Sequence, residues 1–319
     1  MDFSKHIVGK KILITGGTGS FGKHIAKRLL LSDVKEVRIF SRGEDLQHQM
    51  SQELNDKRLN FVIGDVRDFD RVSEALQNVD YIFHAAALKQ VPDCEMHPFE
   101  AVKTNVIGAH NIMIAAERAN IDTMIFISTD KAVKPVNAMG MSKALQEKIL
   151  FSPEFFNKTK IVGVRYGNVV GSRGSVIPLF YERKKLGLPL EVTHPMMTRF
   201  WLTLNNATDL VFKALVDGKS KEMFVMKRPA CRIIDLAEVI SEGKVPVKLA
   251  QIRPGEKIHE TLVHEDEMRR SIEDDNYYRI LPISNVNLGM HGTEEYTSAN
   301  TRQMNKQEIS TLLKSEGWI

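Results

Sequence analysis

Apolar positions in the first half of the chain alternate between two periods. Short apolar runs rich in branched residues are bounded by turn-forming or polar residues and predict strands: Lys11–Thr15, Glu36–Ser41, Leu59–Gly64, Tyr81–Ala86, Thr123–Ser128 and Ile161–Tyr166. The stretches between them, such as Phe21–Leu31 and Ala101–Ala119, carry apolar residues at helical spacing. Strand–helix alternation predicts an α/β architecture, a Rossmann-like doubly wound parallel sheet with helices on both faces. Near-continuous apolar strands fit a sheet buried on both sides.

Past residue 170 the rhythm breaks up around Gly171–Gly174, Pro178, Gly187-Leu-Pro189 and His194-Pro195. Leu204–Val216 predicts a further helix, Met223–Met226 a further strand, and Arg232–Pro282 a small mixed lobe. From Ser284 the composition turns polar, with one helix expected near Asn305–Leu313, where Asn305 and Glu308 have capping-box spacing. The expected division is residues 1–170 as a cofactor-binding domain, with returns near 204–227. Residues 171–319 then form mainly a smaller mixed α/β substrate lobe and a C-terminal tail.

Composition narrows the function classes. A net charge of +4 with no basic block or stripe excludes a nucleic-acid binder and agrees with an anionic ligand. The two cysteines, Cys94 and Cys231, belong to no CxxC or Cys/His cluster, so neither a disulfide scaffold nor a metal centre is expected, and a reducing compartment fits. The first residues do not make a signal peptide, and no apolar run reaches the ~18–20 residues that cross a bilayer. A cytoplasmic protein without a membrane partner is the expectation.

The first strand runs into Thr15-Gly16-Gly17-Thr18-Gly19-Ser20-Phe21-Gly22 and then a helix. Glycines at 16, 19 and 22 let backbone approach a pyrophosphate, and the helix N-terminus presents unpaired N–H groups to that anion. A glycine motif is weak alone, but its place between a strand and a helix at the start of a βα series is the context a dinucleotide site requires. An acidic residue at the end of the second strand would pair with the ribose hydroxyls of NAD. Ser41-Arg42 stands there instead, which suits the 2′-phosphate of NADP, and Lys23 and Lys27 lie on the first helix nearby. NADP is therefore expected over NAD. A solvated loop charge is the plainer account of Arg42.

The motif TGxxGxxG at Thr15–Gly22, His84-Ala85-Ala86-Ala87, Asn105, Ser128-Thr129-Asp130-Lys131-Ala132 and Arg165-Tyr166-Gly167-Asn168-Val169 together resemble the extended short-chain dehydrogenase/reductases. Within them the chain looks most like the UDP-N-acetylhexosamine 4,6-dehydratases. The segments His84–Pro92, Ser128–Ala132, Arg173–Pro178, Met197–Phe200 and Arg253-Pro-Gly-Glu256-Lys257 carry that likeness over roughly residues 11 to 260. The superfamily places a tyrosine four residues before a lysine, but Met139 stands four before Lys143. A thioether cannot titrate. Methionine there is similar to a capsule and O-antigen branch whose enzymes also invert C5. A second YxxxK, Tyr181 and Lys185, lies beyond the sixth strand in a predicted helix and cannot follow the fifth.

The resemblance implies a reaction on a UDP-N-acetylhexosamine. Oxidising C4 to a ketone acidifies H5; a base then removes H5 while an acid protonates the departing 6-hydroxyl, and hydride returns to C6. Asp130 and Lys131 are the candidates for acid and base, as a coupled pair. Lys131, with Thr129 and water, is the candidate for the 4-hydroxyl proton, and Lys143 for holding the nicotinamide ribose. Elsewhere an Asp-Lys pair would be a helix cap and a solvated charge. The resemblance also places Asp65 and Val66 at the adenine, Ala85 and Ala86 where the cofactor needs room, and Lys89, Asn168, Arg199, Arg253 and Glu256 at the nucleotide sugar. A surface ion pair is the plainer account of each arginine. His84 and Lys89 are candidates for the second-face proton source at C5, with a buried structural role equally open for His84. Self-association is expected from the resemblance. Two alternatives stand beside the C5-inverting UDP-N-acetylglucosamine 4,6-dehydratase: a UDP-sugar 4-epimerase, and an inactive NADP-binding sensor or scaffold.

Overall fold

The computed structural model describes residues 3–152, 158–172, 174–274, 276–283 and 294–319. Arg173 and residues 284–293, the start of the polar stretch, lie outside the described residues.

Six parallel strands form where the apolar runs predicted them. They are β1 (Lys11–Thr15), β2 (Glu36–Ser41), β3 (Leu59–Ile63), β4 (Tyr81–His84), β5 (Thr123–Thr129) and β6 (Lys160–Tyr166). Their order is β3-β2-β1-β4-β5-β6, extended beyond β6 by Met223–Met226, Tyr277–Ile280 and Ser271–Glu273. Met223–Met226 is parallel to β6, and the last two strands are antiparallel. The sheet is thus the predicted doubly wound α/β fold. Its order reverses between β1 and β4, and ligands of such sheets bind outside the carboxyl ends of the strands at that reversal.

Alternation along the strands supplies both faces of the core. Ile12 and Ile14 pack with Val37, Ile39 and Ile125 on one face, whereas Leu13 packs with Phe40, Ile82 and Phe126 on the other. A third cluster, from Val170 through Trp201, Leu236 and Ile309 to Leu313, packs away from the sheet. It includes the predicted C-terminal helix, Lys306–Ser315, which opens with the Asn305/Glu308 capping box.

Two details differ from the sequence expectation. β4 stops at His84, leaving Ala85 and Ala86 outside the strand. Ser271–Glu273 and Tyr277–Ile280, expected in the smaller lobe, join the large sheet. Strands this short carry too few alternations to name their partner. No helix among the described residues is long and apolar enough to cross a membrane.

Candidate active site

The βα turn after β1 is built for close backbone approach. Gly16 has φ +65°, and a Cβ there would lie 2.9 Å from the Ala86 backbone. Helix Ser20–Leu30 has Gly19 at its N-cap and no side-chain cap. Its first N–H groups therefore remain open to an anion. Thr15 and His84 tie β1 to β4: the Ala86 N–H donates to Thr15 Oγ1 (3.2 Å), and Oγ1 lies 2.8 Å from His84 Nδ1. Burial, with the charge of Lys143 adding, pushes the His84 pKa down to about 3, so the ring is neutral. His84 is fully buried and holds two strands together.

The expected cofactor residues Gly16, Thr18, Gly19, Ser20, Phe21, Gly22, Ser41, Arg42, Asp65, Val66, Ala85, Ala86 and Lys143 all line one cleft of about 1140 Å³. Lys89, Asn168, Arg199, Arg253, Glu256, Thr129, Lys131 and Met139 line it as well. A glycine turn, an open helix start and a lysine at one strand-end crevice fit a nicotinamide dinucleotide. At the far end the Arg42 side chain is 59% exposed, with Nη1 3.9 Å from Asp65 Oδ2. Burial disfavours the Asp65 charge, but Arg67, with Arg42 adding, holds its carboxyl below the usual range. Lys23 and Lys27 are engaged elsewhere: both pair with Glu53.

At the other end Asn137 caps helix Ala138–Leu150, its Oδ1 accepting from the Gly140 N–H at 2.8 Å. The helix packs so tightly on the turn after β5 that a Cβ on Gly140 would collide with the Lys131 carbonyl. It carries Met139 into an apolar cluster with Cys94 and Ala101, filling the place where a phenol would titrate. Among the described residues Tyr166 is the one tyrosine on the cleft wall. It sits beside Phe21, and burial raises its pKa, so its phenol stays protonated. Tyr181 and Lys185 do not line the cleft; Tyr181 packs on Trp318. Lys143 donates to the Ile127 carbonyl (2.6 Å) and to Gln146 Oε1, and burial lowers its pKa to about 8. Ser128 donates to Glu147, which with Glu267 grips the buried Arg165.

The turn after β5 separates the two residues of the Asp-Lys pair. Lys131 lines the cleft with 23% of its side chain exposed, whereas Asp130 has none exposed and does not line it. Of the two acid–base candidates, Lys131 alone stands on the cleft wall. Asp130 opens the short 3₁₀ turn Asp130–Ala132, and its carboxylate is buried beside Gly167. Its Oδ1 accepts from Thr129 Oγ1 (2.9 Å) and Lys131 Nζ (3.0 Å), while Oδ2 has no hydrogen-bond partner. Burial, with the charge of Glu260 adding, raises the Asp130 pKa.

A third ionisable group stands here that sequence reasoning missed. Glu260 lines the cleft, with Oε1 3.4 Å from Lys131 Nζ and Oε2 3.2 Å from Lys257 Nζ. Burial opposes its charge, but Lys131, Arg199 and Lys257 hold its pKa below the ordinary value. Burial likewise opposes the Lys131 charge, yet Asp130 and Glu260 outweigh it and raise that pKa. A signal was present: Glu260 follows Lys257 and His259 just after the quoted Arg253–Lys257 segment.

Arg199 is also placed differently from a phosphate clamp. Its guanidinium donates to the carbonyls of Thr198 (2.8 Å), Ile258 (3.1 Å) and Lys257 (2.8 Å), so it braces the segment that carries Glu260. Arg253 and Glu256 form one turn, the Glu256 N–H donating to the Arg253 carbonyl at 3.1 Å.

Residues 12–282 match the family described as "Polysaccharide biosynthesis protein". The chain is 44% identical to a protein named UDP-glucose 4-epimerase from Rickettsia bellii, over 98% of this chain and 97% of that one. It is 43% identical to a protein of the same name from Rickettsia prowazekii, with the same coverage. Among solved structures it is similar to Pen from Bacillus thuringiensis, with TM-score 0.93, 36% identity, and coverage of 98% of this chain and 99% of that one. The dTDP-glucose 4,6-dehydratase DesIV from Streptomyces venezuelae, solved with NAD and TYD bound, shares the fold, with TM-score 0.71, 22% identity, and coverage of 78% and 86%.

Proposed function

The chain belongs to the polysaccharide biosynthesis protein family, within the extended short-chain dehydrogenase/reductases, and from that premise we propose that it is a UDP-N-acetylglucosamine 4,6-dehydratase that also inverts C5. The observation that carries the reading is the cleft-facing Lys131 backed by a buried carboxylate, opposite an apolar Met139 where the superfamily keeps its phenol. A nicotinamide dinucleotide, when bound, would supply reversible hydride transfer. The Gly16–Gly22 turn would hold its pyrophosphate, Asp65 and Val66 its adenine, and Lys143 its nicotinamide ribose, with Ala85 and Ala86 leaving room. Ser41 and Arg42 favour NADP over NAD.

In this reading Lys131 is the group that meets the sugar. Asp130, 3.0 Å behind it and held by Thr129, shares a proton with it, so the pair alternates between ammonium–carboxylate and amine–acid. The amine form takes the proton from C5 of a 4-keto sugar, and the ammonium form protonates the departing 6-hydroxyl. General acid–base assistance of this kind is worth about 10²–10⁴ in rate. Lys89, Asn168, Arg253 and Glu256 would grip the nucleotide sugar from the cleft wall, and Arg199 would position the Lys257–Glu260 segment.

A UDP-sugar 4-epimerase is the second reading, favoured by the name the Rickettsia relatives carry. Such an enzyme needs one group for the 4-hydroxyl proton and leaves a buried ammonium–carboxylate cluster without work at C5–C6. Product NMR after incubation with UDP-N-acetylglucosamine in D₂O separates the two. A 4-keto-6-deoxy sugar labelled at C5 supports the dehydratase; an unlabelled C4 epimer with no loss of water replaces it with the epimerase.

A further inference from the structure

Lys131 lies between two carboxylates that come from different parts of the fold. Asp130 is its neighbour on the β5 turn, and Glu260 reaches it from the segment after the Arg253–Glu256 turn. The two carboxylates are not equivalent. Asp130 is sealed beneath the turn, and its Oδ2 faces the backbone of Gly167, within 3.3 Å of where a Cβ there would stand. Glu260 lines the cleft and is ringed by cations: Lys131 at 3.4 Å, Lys257 at 3.2 Å and Arg199 at 3.9 Å. Its backbone is fixed as well. The Glu260 N–H donates to Ser298 Oγ at 2.9 Å, the Ser298 N–H donates to the Glu260 carbonyl at 2.8 Å, and Arg199 donates to the carbonyls of Lys257 and Ile258 just before it. So much scaffolding for one carboxylate 3.4 Å from the cleft-facing ammonium is the arrangement of a group that acts on that ammonium.

We propose that Glu260 is a positioning residue for Lys131: a fixed negative charge from the nucleotide-binding side of the cleft that keeps the lysine protonated at rest and aims its Nζ at the sugar. The inference rests on the reading of Lys131 as the acid–base group. Glu260 stays ionised because three cations surround it, whereas Asp130 is the partner that exchanges the proton. The groups that bear on the titration are Asp130 and Glu260, which favour the charged lysine, and Arg199, which opposes it; Lys257 acts through Glu260. An opposite charge within about 4–6 Å moves a pKa by roughly 1–3 units, so removing the Glu260 charge lowers the Lys131 pKa by about one unit or more.

The test titrates Lys131 directly in the full-length protein with ¹³C-labelled lysine, its signal assigned by its loss in Lys131→Ala. In Glu260→Gln the Lys131 titration is expected to move to lower pH by about one unit or more. The alkaline limb of kcat should follow it while KM for the nucleotide sugar holds. Glu260→Asp keeps the charge but shortens its reach, so it moves the titration the same way by less; it decides the question if the glutamine variant does not fold. A Lys131 titration unchanged in both variants, or in the aspartate variant alone if the other is unfolded, overturns the proposal. Failure of the dehydratase reading would be seen separately, as wild-type protein that makes no 4-keto-6-deoxy sugar while the Lys131 titration still shifts.

Discussion

The two ends of the cleft are made in opposite ways. The glycine-turn end is local: one strand, one glycine turn and one helix start, all within Lys11–Leu30, with Gly16 backed by Ala86. The Lys131 end is assembled from distant pieces. Asp130 and Lys131 come from the end of β5, Met139 and Lys143 from the next helix, and Glu260 from a segment far along the chain that Arg199 holds in place. A local site tolerates change elsewhere in the fold, because its geometry is written in consecutive dihedral angles. An assembled site depends on every element that brings its parts together, and it places charges against one another that the chain keeps apart.

Substitutions should separate these two kinds of site. The largest effect is expected from Lys131→Ala, which should cut the elimination rate by about 10²–10⁴ and leave dinucleotide affinity intact. Product NMR and a fluorescence titration check the two halves, and native-rate dehydration would remove Lys131 from the chemistry. Gly16→Ala should do the reverse. A Cβ at φ +65° against the Ala86 backbone should weaken dinucleotide binding by roughly 10–100-fold while the Lys131 titration stays in place. Arg42→Asp should shift preference from NADP toward NAD by about tenfold, read from paired Kd values, and an unchanged ratio would clear Arg42 of any part in selection.

The smallest expected effect lies outside both ends, in the Arg165 brace. Burial disfavours the Glu267 charge, but Arg165 overrides it and holds the carboxyl at about 2. A depressed folded value stabilises the protein above the unfolded carboxylate pKa of about 4.3, and that stability is lost as pH falls through about 2. Glu267→Gln should therefore lower Tm at neutral pH and flatten the loss of Tm between those two values. Equal acid sensitivity in variant and parent would show that the brace is not what titrates.

What could be read from the chain follows the same division. The glycine turn, the six parallel strands and the capping box at Asn305 each rest on a pattern within a dozen or so residues, and each lies where its pattern put it to within two residues. The pairing of Lys131 with Glu260 rests on no such pattern. Adjacency made Asp130 and Lys131 look like equal partners in the cleft, because spacing alone does not say which side of a 3₁₀ turn each side chain takes. The edge strands near Tyr277 were misplaced for a related reason: a strand of four residues states its period but not its neighbour. Arg199 was legible as a candidate for the nucleotide sugar or a surface ion pair, but not as a buried cation that gives three hydrogen bonds to backbone carbonyls.

The side-chain amide of Asn137 joins what would otherwise be two independent motions. Its oxygen starts the helix that bears Lys143, and its nitrogen donates to the Gly255 carbonyl at 2.8 Å, inside the Arg253–Glu256 turn. A displacement of that turn therefore pulls on the N-cap of the helix. One wall of the cleft is thereby tied to the other through a single planar group. An aspartate at 137 would preserve the helix start and sever the tie, because a carboxylate has no N–H to give to Gly255.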